Sequence, residues 1–217
     1  MSYRHRFFTP GNSVHVMNRG HNREQIFDDD VDCDIFLSAV RTACARHALE
    51  VHGFALMKNH FHLLVTPTTQ IALSYAIRAF ESKYCYYYNR KHDRSSSIWS
   101  GRYHHVPIES AWQWLVCLRY IELNPVRAGI VMDAAAFRWT SYRVHAEGSS
   151  VYPWLADHPV FERLARTSED RQMIYRTICA APLSDAELTV VRHRPVAELA
   201  NKGEAPAMAD LVNVTAG

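Results

Sequence analysis

The chain has 217 residues, 48% of them hydrophobic and 21% charged, and its formal net charge is +2. This composition is that of a globular protein large enough to bury one core. No stretch approaches the roughly 20 apolar residues of a membrane span, and the first twenty residues carry Arg4, Arg6 and Arg19 without an apolar signal region. Five scattered cysteines without a CxxC pair indicate neither disulfides nor a zinc knuckle. We therefore expect a cytoplasmic protein with reduced thiols and no membrane contact.

Hydrophobic periodicity, capping residues and breakers define the predicted elements. In chain order these are a strand over 13–19, a helix over 30–47, strands over 51–57 and 61–65, a helix over 71–89, an extended stretch within 98–108, and a helix over 110–123 ended by Pro125. The order β-α-β-β-α-β predicts an α+β fold with a ferredoxin-like split βαβ core, an antiparallel sheet with helices on one face.

The pattern loosens after about residue 131. A short helix is expected to begin within 139–142, and another helix is expected over 161–178. The last thirty or so residues are rich in Ala, Pro and polar groups, which favours partial disorder. We therefore divide the chain into a catalytic domain over 1–130 and a C-terminal helical extension with a partly disordered tail over 131–217.

Two histidines stand two positions apart in Asn59-His60-Phe61-His62. Side chains two apart on a strand point to the same face, so His60 and His62 would stand side by side while Phe61 enters the core. Two neighbouring imidazoles can supply two ligands to a metal ion. A chain with thirteen histidines can also carry such a pair as a polar, solvent-facing row. The spacing alone leaves both interpretations open.

Tyr120 and Asn124 are four residues apart, just before Pro125. Four residues make about one helical turn, so the phenol and the carboxamide would point at the same place. Tyr120 can equally belong to a core stripe with Trp112 and Leu115, and an Asn near a helix C-terminus is also a stop signal.

Basic and aromatic side chains interleave from residue 78 to residue 103, where six basic residues stand against two acidic ones. Single-stranded nucleic acid is bound by such surfaces because bases stack on rings and phosphates pair with cations. A half-buried aromatic helix with a solvated basic edge would give the same pattern. Either His104 or His105 could line the site. The candidate DNA-binding residues are Lys83, Arg90, Lys91, Arg94, Arg102, Tyr103 and Arg127.

The three groups together predict a phosphodiester-cleaving site, with a metal ion, a nucleophile on a rigid helix and a groove for the strand. Two neutral imidazoles and a neutral carboxamide leave the full charge of the metal ion available to stabilise an attacked phosphate. Oxygen and imidazole ligands suit Mg²⁺ or Mn²⁺.

Four stretches carry a resemblance to a known family: residues 15–20 (HVMNRG), 54–64 (FALMKNHFHLL), 99–103 (WSGRY) and 119–129 (RYIELNPVRAG). Through them the chain resembles the REP-associated tyrosine transposases, relatives of the insertion-sequence transposases that use one tyrosine and an HUH metal motif. The matches cover most of residues 13–130 in family order. Lys58 departs from the proline that many relatives have before Asn-His.

The resemblance implies a ferredoxin-like core and an enzyme that cuts single-stranded DNA next to a palindromic hairpin. It implies that Tyr120 is the nucleophile, that His60 and His62 bind the metal, and that Asn124 is the third ligand. The product would be a 5′-phosphotyrosine link and a free 3′-hydroxyl. Whether the protein is a monomer or a homodimer stays open.

Two other functions remain as alternatives. A domesticated nucleic-acid-binding protein would keep the fold and the groove without cutting, but the chain retains all four residues that cleavage needs. A replication-initiator or relaxase type of HUH nuclease would use the same chemistry for another purpose. Such enzymes resemble the chain less at residues 124–127.

Overall fold

The computed structural model describes residues 8–192. Its helices and strands, numbered in chain order, are β1 Val14–Arg19, α1 Asp30–Arg46, β2 Leu49–Met57, β3 His60–Pro67, α2 Ala72–Lys91, β4 His104–Pro107, α3 Ala111–Glu122, α4 Asn124–Arg127, α5 Tyr142–Glu147, α6 Pro159–Glu162, α7 Ser168–Ala180 and α8 Asp185–Arg192. The partly disordered tail expected at the C-terminus falls on residues 193–217, outside the described residues.

The four strands form one antiparallel sheet in the order β2-β3-β1-β4. This is the split βαβ arrangement, so the predicted ferredoxin-like fold is confirmed. Helices α1 and α2 cover one face of the sheet. Phe36 of α1, Phe61 of β3 and Phe80 of α2 meet there, with ring centroids 5.0–5.7 Å apart, and all three are fully buried.

Helix α3 packs on the opposite face, against β2 and β3. It begins at Ser110, whose side chain accepts a hydrogen bond from Gln113 N at 3.1 Å, as an N-cap does. The close approach depends on Gly53 of β2, because a Cβ at that position would lie 2.5 Å from Leu118 Cδ1. The absence of a side chain at Gly53 thus lets the tyrosine-bearing helix lie directly on the sheet.

Helices α5, α7 and α8 follow on the outer side of α3, with α5 packed on α7 and α8 on α3. The predicted helix over 161–178 is in fact two helices, α6 and α7. The break follows from Thr167, whose side chain caps α7 by accepting from Asp170 N at 3.1 Å. Among the described residues, no helix has the length and apolar content to cross a membrane.

Candidate active site

His60 and His62 lie on β3 and share the face of the sheet that α3 covers. Their ring centroids are 5.0 Å apart, whereas Phe61 between them points into the core on the other face. The alternation of a strand therefore places the two imidazoles side by side. His62 is buried and His60 is partly exposed, so the pair runs from the protein interior towards the surface.

A third histidine, His15 on β1, completes the row. Its Nε2 lies 2.9 Å from His62 Nδ1, and the two rings stack with centroids 5.1 Å apart. Burial lowers the pKa of His15 to about 4, and the backbone of Val191 partly opposes that shift. The sequence pattern does not reveal this contact because 47 residues separate the partners.

In both His60 and His62, Nδ1 lies within hydrogen-bond distance of a partner. His60 Nδ1 lies 2.7 Å from Asn59 Oδ1, which can only accept, so this nitrogen carries the proton and Nε2 keeps its lone pair. Burial, followed by the charge of Arg19, lowers the pKa of His60 to about 4. Burial is also the main cause that lowers the pKa of His62, ahead of the neighbouring His15. The imidazoles are therefore neutral at pH 7, as metal ligands must be.

Tyr120 of α3 faces the same histidines. Its ring centroid lies 5.8 Å from that of His62 and 5.9 Å from that of His15, edge to face in both cases. The guanidinium of Arg127 lies 4.8 Å from the centre of the Tyr120 ring. Tyr120 also belongs to the buried cluster around α3. It is therefore both a core residue and a residue that faces the histidines, as the two interpretations of the sequence allow.

Asn124 stands at the start of α4, because Pro125 separates this short turn from α3. The sequence predicts Asn124 in the last turn of the preceding helix, so this prediction differs from the structure by the break at Pro125. Asn124 is buried, and within residues 8–192 its carboxamide makes no hydrogen bond. No group of three or more His, Cys, Asp or Glu side chains in the described part of the chain could hold a metal ion. A metal site at His60 and His62 therefore needs a ligand of another kind, such as a carboxamide.

The residues that flank Tyr120 are tied to the C-terminal helices. Glu122, fully buried, accepts hydrogen bonds from Ser141 Oγ at 2.5 Å, His145 Nδ1 at 2.7 Å and Tyr175 Oη at 2.6 Å. Arg119 donates to Glu187 Oε1 of α8 at 2.8 Å, and both side chains are largely buried. The sequence pattern did not single out these contacts.

The basic and aromatic stretch divides into several environments. Lys91 pairs with Asp29 at 2.8 Å and with the buried Asp32 at 2.7 Å, and Arg94 pairs with Glu24 at 3.2 Å. The side chains of Lys83, Arg90 and Arg102 are exposed, Tyr103 is buried, and Arg127 lies at Tyr120.

His104 and His105 point to opposite faces of the sheet. His104 pairs with Met17 of β1, which in turn pairs with His62, so these residues share the face of the candidate site. His105 contacts Phe8 on the other face, with ring centroids 5.2 Å apart. Of the two histidines, His104 is the one on the side of Tyr120.

A family model described as IS200-like transposase matches residues 10–124, which is 115 of the 217 residues. Among solved structures, a REP-associated tyrosine transposase bound to a REP hairpin is 17% identical with a TM-score of 0.56, and the match covers 74% of this chain and 93% of that chain. A putative transposase from Deinococcus radiodurans R1 is 16% identical with a TM-score of 0.40, covering 52% and 90%. No curated protein matches the chain.

The first of these structures shows a shared fold, in agreement with the order of strands and helices described above. The family model covers more than half of the chain and spans β1, β3 and α3, the elements that carry His15, His60, His62 and Tyr120. The chain therefore belongs to the family of IS200-like transposases.

Proposed function

We propose that the protein is a metal-dependent endonuclease and strand transferase for single-stranded DNA, acting on palindromic hairpin DNA through a 5′-phosphotyrosine intermediate. One observation carries this proposal: the ring of Tyr120 lies 5.8 Å from that of His62, on the sheet face that also bears His60. A phenol beside two neutral imidazoles combines a nucleophile with metal ligands.

The metal ion would be Mg²⁺ or Mn²⁺, held by His60, His62 and Asn124. The donors fit such an ion, since His60 offers a free Nε2 and hydrogen bonds at Nδ1 orient both rings, as outer partners of metal-bound histidines do. His15 would be that outer partner for His62. When bound, the ion would supply positive charge to the phosphoryl oxygens of the scissile phosphate.

Tyr120 would attack the scissile phosphorus through Oη. A bond forms between Oη and phosphorus, the bond from phosphorus to the 3′-oxygen breaks, and that oxygen takes up a proton as the phenol loses one. The guanidinium of Arg127, 4.8 Å from the ring centre, would stabilise the negative charge that develops nearby. One phosphate ester replaces another, so a free 3′-hydroxyl can reverse the step without a nucleotide cofactor.

The DNA strand would be held by exposed cations and rings along α2 and the segment that leads to β4. Lys83, Arg90 and Arg102 are the exposed candidates there, whereas Lys91 and Arg94 already face carboxylates. Hairpin DNA is the proposed partner because a solved structure of the same fold contains a REP hairpin. Residues 1–130 would form the catalytic domain, and the extension would hold α3 in place.

Tyr120→Phe tests this assignment because it removes only the hydroxyl. Wild type and variant are incubated with hairpin oligonucleotides labelled at the 5′ or the 3′ end in the presence of Mn²⁺, and the products are separated on a denaturing gel. Wild type should link the 3′-labelled fragment to protein and release the 5′-labelled fragment. Tyr120→Phe should form no adduct and bind DNA with nearly unchanged affinity, while Tyr142→Phe serves as the matched control. An adduct in the Phe variant would mean that another residue is the nucleophile.

A further inference from the structure

A cavity of about 560 Å³ lies between α2 and residues 97–103, the segment that leads into β4. Its volume is in the range of pockets that hold small organic ligands. Residue Asn18 of β1 lies beneath it, and Asn18 belongs to the sheet face opposite to that of Met17 and His62. The cavity and the candidate active site therefore lie on opposite faces of the sheet, and β1 contributes residues to both sides.

Aromatic and cationic side chains line this cavity. Tyr75 and Tyr86 of α2 are 48% and 65% exposed, which is unusual for large rings, and they lie 11 residues or about three helical turns apart on one face of the helix. Arg78 stands between them, and Trp99 forms part of the opposite wall. Rings that are open to solvent and alternate with a cation can stack unpaired bases and pair with phosphates.

Glu81 also lines the cavity, and its carboxyl group is unusual for such a surface. Asn18 Nδ2 donates to Glu81 Oε1 at 2.8 Å and to the carbonyl of Gly101 at 3.2 Å, which fixes the carboxyl group in place. No cation pairs with Glu81 among residues 8–192, and its second oxygen accepts no hydrogen bond there. Burial raises the pKa of Glu81 to about 7. A partly buried carboxyl group without a cation is costly unless donors reach it.

We propose that this cavity takes one unpaired base of the DNA strand and that Glu81 selects guanine. The base would stack on an exposed tyrosine while its Watson–Crick edge meets the carboxylate, as extruded bases are read in other proteins. Guanine alone presents two adjacent N–H donors on that edge, matching two carboxylate oxygens. Adenine and cytosine place a ring acceptor beside their amino group, and thymine offers one N–H between two carbonyl oxygens.

The proposal rests on the DNA function proposed above and adds a sequence preference at a second site. A randomised single-stranded segment beside a hairpin is bound by wild-type protein in EDTA, so that binding is measured without cleavage, and the bound fraction is sequenced. One position should be enriched in guanine. Oligonucleotides with each base at that position should then show about tenfold or greater preference for guanine at fixed salt.

Glu81→Gln replaces one acceptor with a donor and should reduce this preference to less than about twofold. Glu50→Gln, at an exposed position on β2, should keep the preference of the wild type. Tyr86→Leu changes an exposed ring and should weaken binding of all four bases about fivefold or more without changing their order. Thermal melting of each variant shows whether it is folded. A lost preference for guanine in a folded variant then reports on base recognition and not on unfolding.

Three results would overturn the proposal: no enriched guanine, preference for another base, or an unchanged preference in a folded Glu81→Gln protein. If one of these results is obtained and the wild type still forms the Tyr120 adduct, the cavity assignment fails and the proposed function stands. If the wild type binds neither single-stranded nor hairpin DNA, both fail together.

Discussion

Removal of the Tyr175 hydroxyl should destabilise the protein through Glu122. Tyr175 is fully buried and donates to Glu122 Oε2 at 2.6 Å, whereas Ser141 and His145 both donate to Oε1. In Tyr175→Phe, Oε2 keeps no donor among the described residues. A hydrogen bond to a charged group contributes about 1.5–3 kcal/mol, so the free energy of unfolding should fall by about 2–3 kcal/mol. For a chain of this size the Tm should drop by about 4–12 °C.

Urea unfolding and thermal melting of Tyr175→Phe measure this loss, with Tyr142→Phe as the matched control. Tyr142 is also buried, but its hydroxyl makes no hydrogen bond within residues 8–192, so its loss should cost less than about 0.5 kcal/mol. The two variants should also differ in rate of adduct formation, because Glu122 is two residues from Tyr120 on α3. Equal stability of the two variants, or no coupling between Tyr175→Phe and Glu122→Gln in a double-mutant cycle, would refute the reasoning.

Three other predictions concern the histidines and the ion pair between Lys91 and the buried Asp32. His60→Ala or His62→Ala should reduce Mn²⁺-dependent cleavage at least 100-fold and leave the affinity for hairpin DNA within about threefold of the wild type. Wild-type protein in EDTA should behave in the same way. Cleavage at the normal rate by either variant would contradict the metal site. The folded-state pKa of His15, about 4, lies below the unfolded value of 6.5, so its contribution is full above pH 6.5 and is lost as pH falls towards 4. In metal-free protein, His15 should contribute roughly 2 kcal/mol to the loss of stability between pH 8 and pH 5. A folded His15→Gln variant that loses as much stability as the wild type over this range would argue against this. Lys91→Met should lower stability by about 1–3 kcal/mol by leaving Asp32 without its cation, with little change in DNA affinity; the opposite pattern would place Lys91 on the DNA.

The sequence predicted the sheet and its main helices because local patterns carry that information. Alternation over 13–19 and helical spacing over 30–47 each depend on neighbours a few residues apart, and the structure confirms a strand and a helix there. The sequence also predicts that His60 and His62 lie on one face of the sheet, because side chains two residues apart on a strand point to the same side. The start of α7 was also visible in principle, because Thr167 and Asp170 have the spacing of a capping box.

The contacts that surround this pair could not be predicted in the same way. His15 reaches His62 across 47 residues, and Tyr175 reaches Glu122 across 53. No periodicity links such partners, because they meet only through the register of β1 on β3 and the packing of α7 on α3. The carboxyl group of Glu81 is a similar case: in the sequence it is one acid among cations, whereas the structure of residues 8–192 shows no cation paired with it.

The rotation of α3 about its axis decides what Tyr120 faces. Each residue turns a helix by about 100°. A shift by one residue would therefore turn the phenol away from His62 and break the hydrogen bonds of the neighbouring Arg119 and Glu122. Arg119 contacts Glu187 of α8, and Glu122 contacts His145 of α5 and Tyr175 of α7. These contacts fix the rotation of α3, and with it the direction of Tyr120 towards His62 and His15. Removing one partner of a buried ion pair costs about 3–5 kcal/mol, so we expect the contacts with the extension after residue 130 to keep Tyr120 directed at the histidines.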